Sequence, residues 1–228
     1  RATGYALVGI VDTGLYVDHP ALRQFSATGQ HIGGNFISAA SLDVGGSYTS
    51  DDFNVDEQQP DHITDPACNP GGLPGVPTTL AGHGTHVAGL VGANVFSGLG
   101  FKGTCKNCGI AMARIAYGIC SPSTGQVQTT FTFATAAKGI TWLVDSGTQV
   151  INMSLGNSLL DPADYCPTHT KNVWCVAMAY ATDRDVTLVG ASGNWRIRLQ
   201  FPAADSRVVA VGGYDESIAF WDESPGSY

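Results

Sequence analysis

The sequence predicts an α/β domain built on a doubly wound, mostly parallel sheet with helices on both faces. Three observations lead there. Short apolar runs bounded by Gly, Asp or Ser recur along the chain, longer helical patterns lie between them, and the runs lack the polar/apolar alternation of half-exposed strands. Strands and helices alternating in this way build βαβ units with right-handed crossovers. At 228 residues with 43% apolar side chains the chain can enclose one sizeable core. No linker or internal repeat divides it, so residues 1–228 read as one domain.

The predicted strands are 6–11, 110–115, 150–153, 186–189 and 208–211, each rich in Val, Ile or Ala. Residues 83–93, full of Ala, Val and Gly, form a predicted helix, and Ala136, Ile140, Leu143 and Val144 share one face of another. Residues 29–81 differ. They hold few apolar runs and many Asp, Gly, Ser and Pro, and read as a long irregular excursion between the first strand and the first helix. In an open parallel sheet, functional groups gather beyond the carboxyl ends of the strands. Asp12 and Asn194 each follow a predicted strand.

Eleven basic against nineteen acidic residues give a net charge of −8 with no Lys/Arg cluster, which argues against nucleic acid or an anionic membrane as partner. No apolar stretch approaches the roughly 20 residues of a membrane span, and Arg1-Ala2-Thr3-Gly4 lacks a signal-peptide pattern, so the chain reads as processed. A charged fraction of 13% with 29 Gly suits a loop-rich secreted protein. The even set of Cys68, Cys105, Cys108, Cys120, Cys166 and Cys175 points the same way, towards disulfides in an extracellular setting. Cys105-Lys106-Asn107-Cys108 also reads as a zinc half-site or a redox pair, but a second such pair is missing. The sequence leaves the pairing open: Cys166 with Cys175 and Cys105 with Cys108 would make local staples, and Cys68 with Cys120 is what remains.

Chemistry concentrates in three segments, Val11-Asp12-Thr13-Gly14, Gly82-His83-Gly84-Thr85-His86-Val87-Ala88-Gly89 and Ala191-Ser192-Gly193-Asn194. A serine hydrolase needs an imidazole to take the nucleophile's proton and a buried carboxylate to hold that imidazole in the right tautomer. Asp12 and His83 fit those roles. Taken singly, an Asp-x-Gly is ordinarily a turn cap, a His in a small-residue helix a core group, and Ser-Gly-Asn a turn. Their order and combination resemble the subtilisin-like serine proteases, or subtilases, where Asp, His and an oxyanion Asn precede a Ser in a Gly-Thr-Ser-Met-Ala-x-Pro segment. The resemblance runs from the first strand to about Val211.

The resemblance implies that Asp12 orients His83, that His83 is the general base, and that Asn194 donates to the oxyanion. It also implies that Ser154-Leu155-Gly156 pairs with an extended polypeptide substrate and helps wall its side-chain pocket. His86 would be structural, since a metal at His83 would consume the nitrogen that catalysis needs. Asn152-Met153-Ser154 satisfies the glycosylation triplet, but a buried strand disfavours modification there. No metal ligand set or cofactor is expected. The calcium site that some subtilases build shortly after His-Pro lacks its Asp, because Ala21 follows His19-Pro20; the acidic Asp51 to Asp61 stretch is an alternative place for calcium.

The Gly-Thr-Ser-Met-Ala-x-Pro segment does not occur in these 228 residues. In the family that serine lies several dozen residues beyond the oxyanion Asn. Ser192 and Ser154 would sit near the cleft, yet neither opens a helix as the nucleophile does. The expectation is therefore an incomplete subtilisin-like peptidase domain, missing its carboxyl-terminal part and exposing apolar surface. A nicked enzyme with the serine on a companion fragment, a truncated chain and a natural noncatalytic relative would each account for it. The expected function is a secreted serine endopeptidase working by Ser-His-Asp acyl transfer, with this chain supplying Asp12, His83 and Asn194 and inactive by itself. The alternative is a noncatalytic peptide-binding or decoy relative that grips extended peptides through Ser154 to Gly156.

Overall fold

The computed structural model describes residues 6–16, 19–22, 31–37, 82–93, 100, 102–105, 108–121, 123–156, 166, 171–194 and 199–213. In chain order the elements are β1 (Leu7–Asp12), β2 (His31–Asn35), α1 (His83–Gly92), β3 (Gly109–Arg114), β4 (Tyr117–Ser121) and β5 (Gln126–Thr130). There follow α2 (Phe133–Asp145), β6 (Val150–Met153), α3 (Val173–Thr182), β7 (Thr187–Ala191) and β8 (Val208–Val211). Six strands form one sheet in the order β2-β3-β1-β6-β7-β8, and all its pairings are parallel. β4 and β5 form a separate antiparallel hairpin.

Successive strand residues face opposite sides of a sheet, and the core divides accordingly. Ile10, Ile110 and Met112 cluster with Val87 and Ala88 of α1, whereas Val11, Ala111 and Ala113 cluster with Ile140 and Leu143 of α2 and Trp174 of α3. Helices thus cover both faces, as the sequence predicts. All six residues of β3 are buried, which is why its run shows no alternation. Each fully buried Ile, Leu or Met contributes about 1.5–3 kcal/mol.

α2 begins at a reciprocal cap: Thr132 Oγ1 accepts from Thr135 N at 3.0 Å, and Thr132 N donates to Thr135 Oγ1 at 3.0 Å. α3 starts at Asn172, whose Oδ1 accepts from Trp174 N at 3.0 Å. Trp174 is fully buried and meets Phe131, Phe133 and Phe201 at centroid distances of 5.6, 5.4 and 4.9 Å, all edge to face. Disulfides join Cys105 to Cys108 and Cys166 to Cys175, the two local staples anticipated; Cys68 lies outside the described residues.

The structure departs from the sequence prediction in three places. Residues 31–35 form β2 within the supposed irregular excursion, the hairpin β4–β5 was not foreseen, and neither was α3. Apolar side chains are exposed at Val209 and Val211 on the edge strand β8 and at Leu90 on α1. Among the described residues no helix is long and apolar enough to cross a membrane.

Candidate functional site

β1 delivers Asp12 to the carboxyl edge of the sheet between β3 and β6, the point where the strand order reverses direction. Its carbonyl accepts from Ile115 N at 2.9 Å, which fixes the backbone, and the residue is only 3% exposed. One carboxylate oxygen, Oδ1, accepts three hydrogen bonds: from Thr13 N at 2.7 Å, from Thr13 Oγ1 at 3.2 Å and from His83 Nδ1 at 2.7 Å. An ionised carboxylate can only accept, so the Nδ1 proton is on His83. Nε2 is then left with its lone pair, on a side chain 36% exposed, as a general base requires.

α1 reaches this position because glycines stand on both sides of His83. Gly82 caps the helix at φ 98°, a left-handed conformation that other residues adopt at a cost. Gly84 packs on the 12–15 turn so closely that a Cβ there would strike the Gly14 carbonyl oxygen. Two threonines latch helix to strand: Thr13 Oγ1 accepts from Gly84 N at 2.9 Å, and Thr85 Oγ1 accepts from Tyr16 N at 2.7 Å. Neither threonine had a role assigned from sequence, although both stand inside the motifs; the signal was present in Asp-Thr-Gly and Gly-His-Gly-Thr. His86, on the same helix, is exposed.

Ser154, Leu155 and Gly156 leave the end of β6, where Asn152 Nδ2 donates to Ser154 Oγ at 2.9 Å. Ser154 and Asn152 face Val87, Leu90 and Val91 of α1 across a cavity of about 290 Å³, so the proposed substrate segment lies opposite the His83 helix. Leu155 packs on the larger core cluster. Asn194 lies three residues past β7 and is exposed, while Ser192 beside it is buried and donates its backbone N–H to Val211 O at 2.9 Å. Gln200, passed over in the sequence, lies between Gly156 and Gly193.

Among the described residues no three His, Cys, Asp or Glu side chains converge as a metal site would require, and Asp51 to Asp61 lie outside them. With the Asp–His pair placed at the sheet's switch point, residues 5–225 match the Subtilase family. The chain belongs to the subtilase family. It is 33% identical over 141 residues to a thermophilic serine proteinase from Bacillus sp., an overlap of 61% of this chain and 30% of that one. It is 29% identical over 226 residues to the minor extracellular protease Vpr of Bacillus subtilis, covering 97% of this chain and 22% of the relative. In three dimensions it superposes on the nisin leader peptidase NisP of Lactococcus lactis with a TM-score of 0.63 at 21% identity, over 99% of this chain and 59% of that one. The chain therefore spans less than a third of the two curated relatives and under two thirds of the solved one.

Proposed function

We propose that this chain is the base-bearing part of a secreted serine endopeptidase that cleaves polypeptides. One observation carries the reading: a buried carboxylate holds His83 by Nδ1 at 2.7 Å, the pairing in which the lone pair falls on Nε2. Asp12 orients and stabilises the imidazolium, His83 moves the proton, and Asn194 donates its side-chain amide to the oxyanion. Ser154 to Gly156 receives the extended substrate by main-chain hydrogen bonding. The nucleophilic serine comes from a segment outside these 228 residues, on the same or a companion fragment. Extracellular relatives such as Vpr and the local disulfides support secretion.

Intact-mass measurement under denaturing, reducing conditions, after reaction of the native protease with a fluorophosphonate probe, tests this. An adduct on a polypeptide that accompanies or extends this chain is expected. A native preparation that takes no adduct, yet binds extended peptides, would establish the noncatalytic peptide-binding alternative.

A further inference from the structure

Two charged side chains, Asp12 and Arg114, are each 3% exposed at the carboxyl ends of β1 and β3, and the mechanism above uses only the first. They are register partners across the parallel pair. Ile10 on β1 and Ile110 and Met112 on β3, which cluster with α1, stand two or four residues before them, so Asp12 and Arg114 share the sheet face that the His83 helix covers. Their backbones are pinned side by side: Ile115 N donates to Asp12 O at 2.9 Å, and Phe36 N donates to Arg114 O at 2.9 Å. No ion pair joins the two side chains directly among the described residues, so they act on each other through space. Neighbouring strands lie only about 4.8 Å apart, and a protein interior screens charge weakly.

The Asp12 carboxylate needs such a neighbour. Oδ1 collects three hydrogen bonds, whereas Oδ2 is buried and has none among the described residues. A carboxylate withdrawn from water with one oxygen unpartnered is costly unless a positive charge offsets it. The resting imidazole is neutral and supplies none. Among the described residues of the elements around the pair, Arg114 is the one permanent cation. α1 brings His83 and the exposed His86, the segment after β1 brings Tyr16 and the half-buried His19, and β6 has no ionisable side chain. His31 of β2 stands four register positions down the sheet from Arg114, and Lys138 and Asp145 of α2 are exposed beyond the opposite face. We propose that Arg114 is a positioning residue of the acyl-transfer site, a buried cation that offsets the charge of Asp12 and limits how tightly His83 holds its proton. This inference rests on the endopeptidase reading above.

The test is the pH dependence of fluorophosphonate labelling in the complete, serine-containing protease, compared between wild type, Arg114→Gln and Arg114→Lys. With the cation removed, the uncompensated carboxylate holds the imidazolium to higher pH, so the acid limb of the Arg114→Gln profile should move up by about one pH unit. Arg114→Lys keeps the charge, and its limb should stay close to that of wild type. A rate loss at every pH with the limb unmoved, or a lysine profile that matches the glutamine one, would mark Arg114 as merely structural and overturn the assignment. Urea titration decides the matter even if Arg114→Gln folds poorly. Its loss of stability should be smaller in the Asp12→Asn background, where no carboxylate charge is left to offset, and equal losses in both backgrounds would overturn the pairing. A wild-type protease that takes no fluorophosphonate would defeat the endopeptidase reading and the catalytic role of Arg114 with it; labelling with an unmoved limb defeats this inference alone.

Discussion

Asp12 holds the site together at the scale of single residues, because one buried oxygen collects the threonine backbone, the threonine hydroxyl and the imidazole. Replacing it with Asn would retain the shape while presenting an amide that can force His83 into the wrong tautomer. Asp12→Asn in the complete protease should lower kcat by about 10⁴-fold with little change in Tm. Thr13 acts in relay, donating to Asp12 and accepting from Gly84 N, so Thr13→Ala strands a buried N–H. A stability loss of about 1–3 kcal/mol in urea titration is expected. Asp12 and His83 were legible in the sequence because their neighbours form specific motifs. Thr13 and Thr85 stand inside the same motifs, but their partners come from other segments, such as Gly84 across 71 positions, and the motifs do not name those partners.

Between residues and the whole, the elements divide by how much of their signal is local. β1, β3, β6, β7 and β8 were readable since burial on both faces of a parallel sheet selects unbroken apolar runs. β2 reads His-Ile-Gly-Gly-Asn, with a single large apolar residue, and owes its strand geometry to pairing with β3 at the sheet edge. α3 reads Val-Trp-Cys-Val-Ala-Met-Ala-Tyr-Ala-Thr, too uniformly apolar to show a helical period. The hairpin hides differently: Tyr117-Gly-Ile-Cys-Ser and Gln126-Val-Gln-Thr-Thr are each too mixed to stand out, though Ser-Thr-Gly between them is turn chemistry. α2 offers a clean test of local control. Thr132→Ala removes its cap and should cost about 1 kcal/mol by chemical denaturation while leaving any peptidase activity intact.

Across the whole molecule, the far edge of the sheet is tied to α3 through Arg207, which the neighbouring Asp205 holds in place. Arg207 Nε donates to Asp205 Oδ1 at 2.7 Å and Nη2 to Oδ2 at 2.8 Å, while Nη1 reaches Cys175 O at 3.2 Å. Burial works to raise the Asp205 pKa, but the hydrogen bonds and charge of Arg207 outweigh it and hold the carboxyl below its ordinary range. A folded-state pKa below the unfolded one contributes stability above about pH 4, which disappears as pH falls through the folded value. Asp205→Asn should therefore be destabilised at neutral pH, and the gap to wild type should close on acidification below about pH 4. Denaturant titration across pH checks this; a gap that widens with acid would contradict it.

The sheet, the helices on its two faces and the loops at its carboxyl edge all serve to hold one imidazole against one buried carboxylate. The most direct measurement is the rate of fluorophosphonate labelling of the complete protease, compared between wild type, His83→Ala and Asp12→Asn. If His83 is the base and Asp12 its orienter, labelling falls by orders of magnitude in both variants while folding, followed by circular dichroism, persists. Labelling at the wild-type rate in a folded His83→Ala protein would show that another group activates the nucleophile.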